Sequence, residues 1–190
     1  MIALLQGCIV KSLHPFYFKT DVVYKKELIN TWVDQDGHKW KINSTLENPY
    51  AYEMVFTKDG KEAVFLVYLF RLNENLFLDF RPLASDGSVN ELFEMHLLPS
   101  HSVAKIGKLS SDVIEIKWFN EEWLHKLFSQ NRIKISHEVI QEENSGKDED
   151  KTYVLTASTE ELRKFLIKFG DDESAFEGDN AMVLTLKRTI

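Results

Sequence analysis

Glu94-Met95-His96-Leu97-Leu98-Pro99-Ser100-His101 gathers residue types that chemistry often uses: two imidazoles and a carboxylate beside a proline. Zinc accepts these ligand types, so Glu94, His96 and His101 form a candidate divalent-metal set. Ser100 beside His101 also places a hydroxyl next to a base. The spacing matches no named site. Residues five apart on an extended strand point to opposite faces, so a bend at Pro99 is needed to bring the two histidines together. Polar strand and loop residues account for the same letters with fewer assumptions. His14, His38, His125 and His137 are scattered and read as surface or packing residues. The chain contains no Gly-x-Ser-x-Gly elbow, Walker loop, Rossmann glycine fingerprint or His-Glu-x-x-His, and no cofactor is expected. Asp79 and Arg81 alternate out of one strand and are expected to pair as ions on its other face, a contact of small energetic weight.

The single cysteine carries the other readable chemistry. In Leu4-Leu5-Gln6-Gly7-Cys8 it follows a glycine and an apolar run, with Leu three positions before it. This resembles a bacterial lipobox, which implies cleavage between Gly7 and Cys8 and thioether lipidation of Cys8. A secretory signal also carries a basic n-region and an apolar h-region of about 7–15 residues. Residues 1–5 contain no Lys or Arg, so the reading requires a start upstream of Met1. Residues 1–7 are then a truncated signal-peptide remnant, 8–21 an anchor with a packed tether, and 22–190 a single β-rich domain. With Met1 as the true start, Cys8 is a small hydrophobe in an N-terminal strand and the protein is cytoplasmic.

Composition narrows the classes. At 190 residues, the length favours one domain with a sizeable core. A hydrophobic fraction of 44% with 28% charged residues is ordinary for a soluble fold, and 13 phenylalanines predict an aromatic interior. No apolar run reaches the roughly 18 residues of a spanning helix. A net charge of −7 without a basic stripe argues against nucleic acid. One cysteine excludes an intrachain disulfide and cysteine-rich zinc patterns.

The elements that must position these residues are mostly strands. Residues 30–34 and 38–43 flank Asp34-Gln35-Asp36-Gly37, a hairpin cue. His38, Trp40 and Ile42 alternate with Lys39 and Lys41 at the two-residue period of a half-buried strand. Tyr50, Tyr52, Met54 and Phe56 repeat the alternation. Residues 63–72 are apolar on both faces, which predicts a strand covered on both sides, and 76–80 follow after a turn. Residues 84–90 read as loop, 91–98 as a strand ended by Pro99, and 102–106 and 113–118 as further strands. Asn120 caps a helix over 121–130, with Trp123, Leu124, Leu127 and Phe128 as its apolar stripe. Ser158-Thr159-Glu160-Glu161 is a capping box for a second helix, striped by Leu162, Phe165, Leu166 and Phe169 and stopped by a left-handed Gly170. Between the helices, 133–140 and 152–156 read as strands joined by a charged loop over 141–151. Residues 182–188 form the last strand.

Together these predict an α+β fold: a mainly antiparallel, strongly curved sheet or partly closed β-barrel with two helices in the C-terminal half. Trp32, Trp40, Trp118 and Trp123 either fill its core or line a ligand cavity.

The head Gly7-Cys8-Ile9-Val10-Lys11-Ser12-Leu13-His14-Pro15-Phe16-Tyr17, with Asn30-Thr31-Trp32 and Asp36-Gly37-His38-Lys39-Trp40, resembles a group of uncharacterised bacterial lipoproteins. The similarity extends to His-Leu-Leu-Pro at 96–99 and to the helix entry at 155–162. The resemblance implies attachment to the cell envelope through lipid on Cys8, and nothing about activity. Asn30-Thr31-Trp32 also resembles the Gly-x-Trp entry of lipocalin barrels, with Asn in place of Gly. The expectation is therefore a membrane-anchored envelope protein whose β-rich domain binds a protein or small apolar ligand, or serves assembly. Ile9 rather than Asp after the cysteine favours the outer membrane where one is present. The alternatives are a metal-dependent or hydrolytic enzyme using Glu94, His96 and His101, and a cytosolic ligand-binding barrel.

Overall fold

The computed structural model describes residues 9–85, 98–141, 151–178 and 181–189. Eight of its strands close a barrel: β2 (Asn30–Val33), β3 (Lys39–Ser44), β4 (Ala51–Lys58), β5 (Lys61–Leu72), β6 (Asn75–Ser85), β7 (His101–Leu109), β8 (Val113–Trp118) and β11 (Val183–Arg188). Strands β2 to β8 pair with their sequence neighbours, and β11 fits between β8 and β2. Every one of these barrel pairings is antiparallel. The sheet thus has the predicted curvature and closes fully.

Local chemistry sets the turns. Asp59 and Gly60 take φ of 51° and 75° between Lys58 and Lys61, the pair of positive values that a two-residue hairpin turn demands. Alternation then fills the interior. Trp32, Trp40, Ile42, Tyr52, Met54, Val67, Leu69, Leu78, Phe80, Ile114, Ile116 and Trp118 share one buried cluster. A 3₁₀ turn at Lys26–Leu28 adds Leu28 to that cluster, where its carbonyl accepts from Trp32 Nε1 at 3.0 Å. The Tyr52 hydroxyl accepts from the backbone N–H of Lys25 and donates to its carbonyl. Burial pushes that phenol up to about 12.

Between β8 and β11 the chain makes a long excursion over the barrel's outer wall. It comprises α1 (Glu121–Ser129), β9 (His137–Gln141), β10 (Lys151–Leu155) and α2 (Thr159–Phe169). The N-terminal strand β1 (Lys11–Ser12) lies between β7, antiparallel, and β10, parallel. A second core forms between this layer and the wall, from Phe16, Phe70, Phe77, Val103, Leu124, Leu155, Leu162, Phe165 and Phe176 among others. Strand β5 therefore buries Val67 and Leu69 inward and Phe70 and Leu72 outward, as its two apolar faces predict.

Both helix caps form as read. Asn120 accepts from the N–H groups of Glu122 and Trp123, and Ser158 and Glu161 close their capping box. Two expectations are corrected. Residues 133–136 are not strand: Ile135 is buried in the outer core, and the Ser136 carbonyl accepts from Thr156 and Ala157. Gly170 is right-handed, with φ −64° and ψ −20°. A Cβ there would lie 2.6 Å from the Leu166 carbonyl oxygen and 3.0 Å from Phe77, so crowding by the helix's own last turn and by a ring of the barrel wall, not handedness, calls for glycine. Trp123 packs against the outer core, as its place on the helix stripe predicts, while the other three tryptophans lie in the barrel.

Candidate functional site

Along β6, Leu78 and Phe80 point into the barrel, and Phe77 and Asp79 point to the outer wall. Asp79 thereby sits beneath the N-terminal segment, 1% exposed. A buried carboxylate needs donors, and two distant parts of the chain supply them. The backbone N–H of Phe16 donates to Oδ2 at 3.1 Å, and His101 Nδ1 lies 2.7 Å from Oδ1. His101 reaches this position because β7 begins there, with Ser12 of β1 opposite it.

The expected Asp79–Arg81 ion pair is replaced by this carboxylate–imidazole pair. Arg81 stands two residues along, and its buried Nε has no hydrogen-bond partner among the described residues. Burial raises the Asp79 pKa; the His101 contact and the Phe16 N–H act in the opposite direction. Tyr17 stacks on Tyr68 with ring centroids 5.0 Å apart. Burial, then the neighbouring Asp79 charge, pushes its phenol well up.

A carboxylate on His Nδ1 fixes the tautomer and leaves Nε2 as the ring's working nitrogen, for a proton or a metal. His101 is partly accessible, with 15% of its side chain exposed. Ser12 does not complete a nucleophilic triad: it is fully buried and its Oγ accepts from the N–H of His14 at 3.1 Å. Of the other residues singled out in the sequence, Cys8, Glu94 and His96 lie outside the described residues. Asp79 was legible only as an outward-facing acid. Its partner is 22 positions away, and no local pattern announces it.

A second cluster, Asp34, Asp36 and His38, offers three ligand-type groups within 4.8 Å of one another. The Asp34 carboxylate already serves the hairpin. Oδ1 accepts from the N–H groups of Asp36 and His38, and Oδ2 from Trp40 Nε1, with His38 Nδ1 at 3.2 Å. Burial would raise its pKa, but the Trp40 and backbone donors together lower it. This is a turn cap of the Asx kind.

An open cleft of about 460 Å³ lies beside β7 and β8, bordered by Glu74, Lys105, Lys117, Phe176 and Glu177. Its cations are engaged. Lys105 donates to the Gly170 carbonyl, and Lys117 sits between Glu115 and Glu177.

Comparison with protein-family models, with curated proteins and with solved structures finds no match.

Proposed function

We propose that this chain is a lipid-anchored bacterial envelope protein, with Cys8 as the modified residue and the barrel with its outer layer as a binding or assembly module. The observation that carries the reading is Leu-Leu-Gln-Gly-Cys directly ahead of a segment that is docked from its first described residue. Ile9 bridges to Asn120, Lys11 and Ser12 join the sheet, and Phe16 is 1% exposed in the outer core. A flexible spacer would be rich in Gly and Ser; this one carries Leu13, Phe16, Tyr17 and Phe18. Acyl chains on Cys8 would thus hold the domain at the bilayer surface. Two or three chains anchor firmly where a single chain binds only marginally, and Ile9 after the cysteine favours the outer membrane.

The test is the fate of Cys8→Ala expressed with the native upstream region. The variant is expected in the soluble fraction and the parent in the membrane fraction, its N-terminal peptide beginning at Cys8 with acyl mass. Equal partitioning of the two proteins overturns the anchor.

The Asp79–His101 pair favours a second reading, a metal-dependent or hydrolytic activity using Glu94, His96 and His101, with Asp79 orienting His101. Elemental analysis of untagged protein is expected to find stoichiometric zinc that is lost in His96→Ala and His101→Ala. Metal-free protein removes this reading and leaves the anchor proposal untouched.

A further inference from the structure

We propose that the cleft between residues 132–135 and α2 binds a single-headed anionic amphiphile, with its alkyl chain on the accessible edges of Phe165 and Phe169 and its head among Arg132, Lys134 and Lys168. The inference does not depend on the anchor at Cys8.

The cleft is a solvent-open depression of about 270 Å³, about nine water molecules' share of liquid volume. That is room for a small head and a short length of chain, just below the size range of small-molecule sites. Its composition departs from that of the whole protein. In a chain of net charge −7, four cations (Arg132, Lys134, Lys164 and Lys168) border this one depression with a single carboxylate, Glu161. Helical spacing explains the α2 side: residues 161, 164, 165, 168 and 169 recur at three and four positions and share a face. The connector after α1 supplies the opposite lip, with Ile133 and Ile135 packed on the outer core and Arg132 and Lys134 exposed.

Among the described residues these charges are largely uncompensated. Glu161 is turned to its own helix start, where it accepts from the Ser158 N–H and hydroxyl. Lys164 pairs with Glu160. Arg132, Lys134 and Lys168 have no carboxylate partner among the described residues, and the Lys168 ammonium lies 4.8 Å from the Phe169 ring centroid. Clustered cations repel one another, and a bound anion relieves that repulsion. Beneath them the floor is apolar and aromatic. A purely polar anion would leave that floor unused, and an uncharged hydrocarbon would leave the cations unpaired. An anionic head on an alkyl chain matches both.

Sodium decanoate at monomeric concentrations is the probe, titrated into the full chain by calorimetry and by tryptophan fluorescence. Trp123 meets Phe169 edge to face at 5.2 Å and serves as the reporter. Saturable binding is expected, weakening with added salt and by about tenfold or more in Lys134→Glu/Lys168→Glu. The neutral pair Lys134→Gln/Lys168→Gln should weaken it less. Both lysines are exposed, so unchanged melting temperatures are expected to show that the fold persists. Equal affinity for decyltrimethylammonium, equal affinity in the charge-reversed variant, or no saturable binding overturns the proposal. Capture by anionic but not neutral phospholipid vesicles without decanoate binding also overturns it, in favour of a bilayer-facing patch.

Discussion

Two aspartates illustrate how placement divides chemically identical side chains. Asp34 is surrounded by donors and its pKa falls; Asp79 is buried deeply and its pKa rises. The consequences for stability have opposite signs. The folded state binds the Asp34 proton less tightly than the unfolded chain does. Its contribution is present above the ordinary aspartate pKa and lost as pH falls through the lowered one. The folded state binds the Asp79 proton more tightly, so its contribution is greatest in acid and lost as pH rises through the raised value. Urea unfolding between about pH 3 and pH 7 should therefore show the stability of wild type over Asp34→Asn growing with pH, and that over Asp79→Asn shrinking. Parallel curves for the two variants would show that these environments are not the ones that matter. The hairpin signal at residues 34–37 was plain in the sequence; that Asp34 itself caps the turn follows from the Trp40 and His38 contacts, which need the strands paired.

At the scale of elements, the N-terminal segment is the one whose local pattern says least and whose packing says most. Residues 9–18 contain a two-residue strand and little else that is regular, yet three parts of the fold hold them. Leu13 donates to the Leu155 carbonyl, Phe16 donates to Asp79, and Arg163 of α2 stacks on Phe18 and pairs with Asp21. Phe16→Ala should cost about 3–5 kcal/mol, because a fully buried ring is lost from a packed site. The companion Phe18→Ala, at a ring 41% exposed, should cost about 1 kcal/mol or less. Denaturant midpoints measure both, and hydrogen exchange at Leu13 should rise sharply only in the first. Equal, small effects would mean that the segment is an ornament on a self-sufficient barrel. The helices were far more legible, since caps and stripes are short-range features. Residues 133–136 carry a strand-like pattern without forming a strand, because alternating isoleucines fit a ladder and an irregular packed connector equally well.

The whole molecule is a barrel whose eighth strand arrives only after the chain has built a second layer against the wall. That order decides what a linear reading can reach. Composition, period-two alternation, turn residues and helix caps determined an α+β chain with a curved antiparallel sheet and two late helices, and the letters around Cys8 stand in the sequence whatever the fold. These are properties of neighbours, expressed over a few residues by sterics, hydrogen-bonding groups and hydrophobic periodicity. Closure is different. Arg188 meets Trp32, and β6 meets β7 across residues 86–100; no local pattern encodes either register. The same holds for His101 on Asp79, for Gly170 against Phe77, and for four cations around one cleft in an acidic chain. Each brings together residues from separate elements, and their meeting is fixed by how two cores pack on opposite faces of one sheet, an energy that no single segment carries by itself.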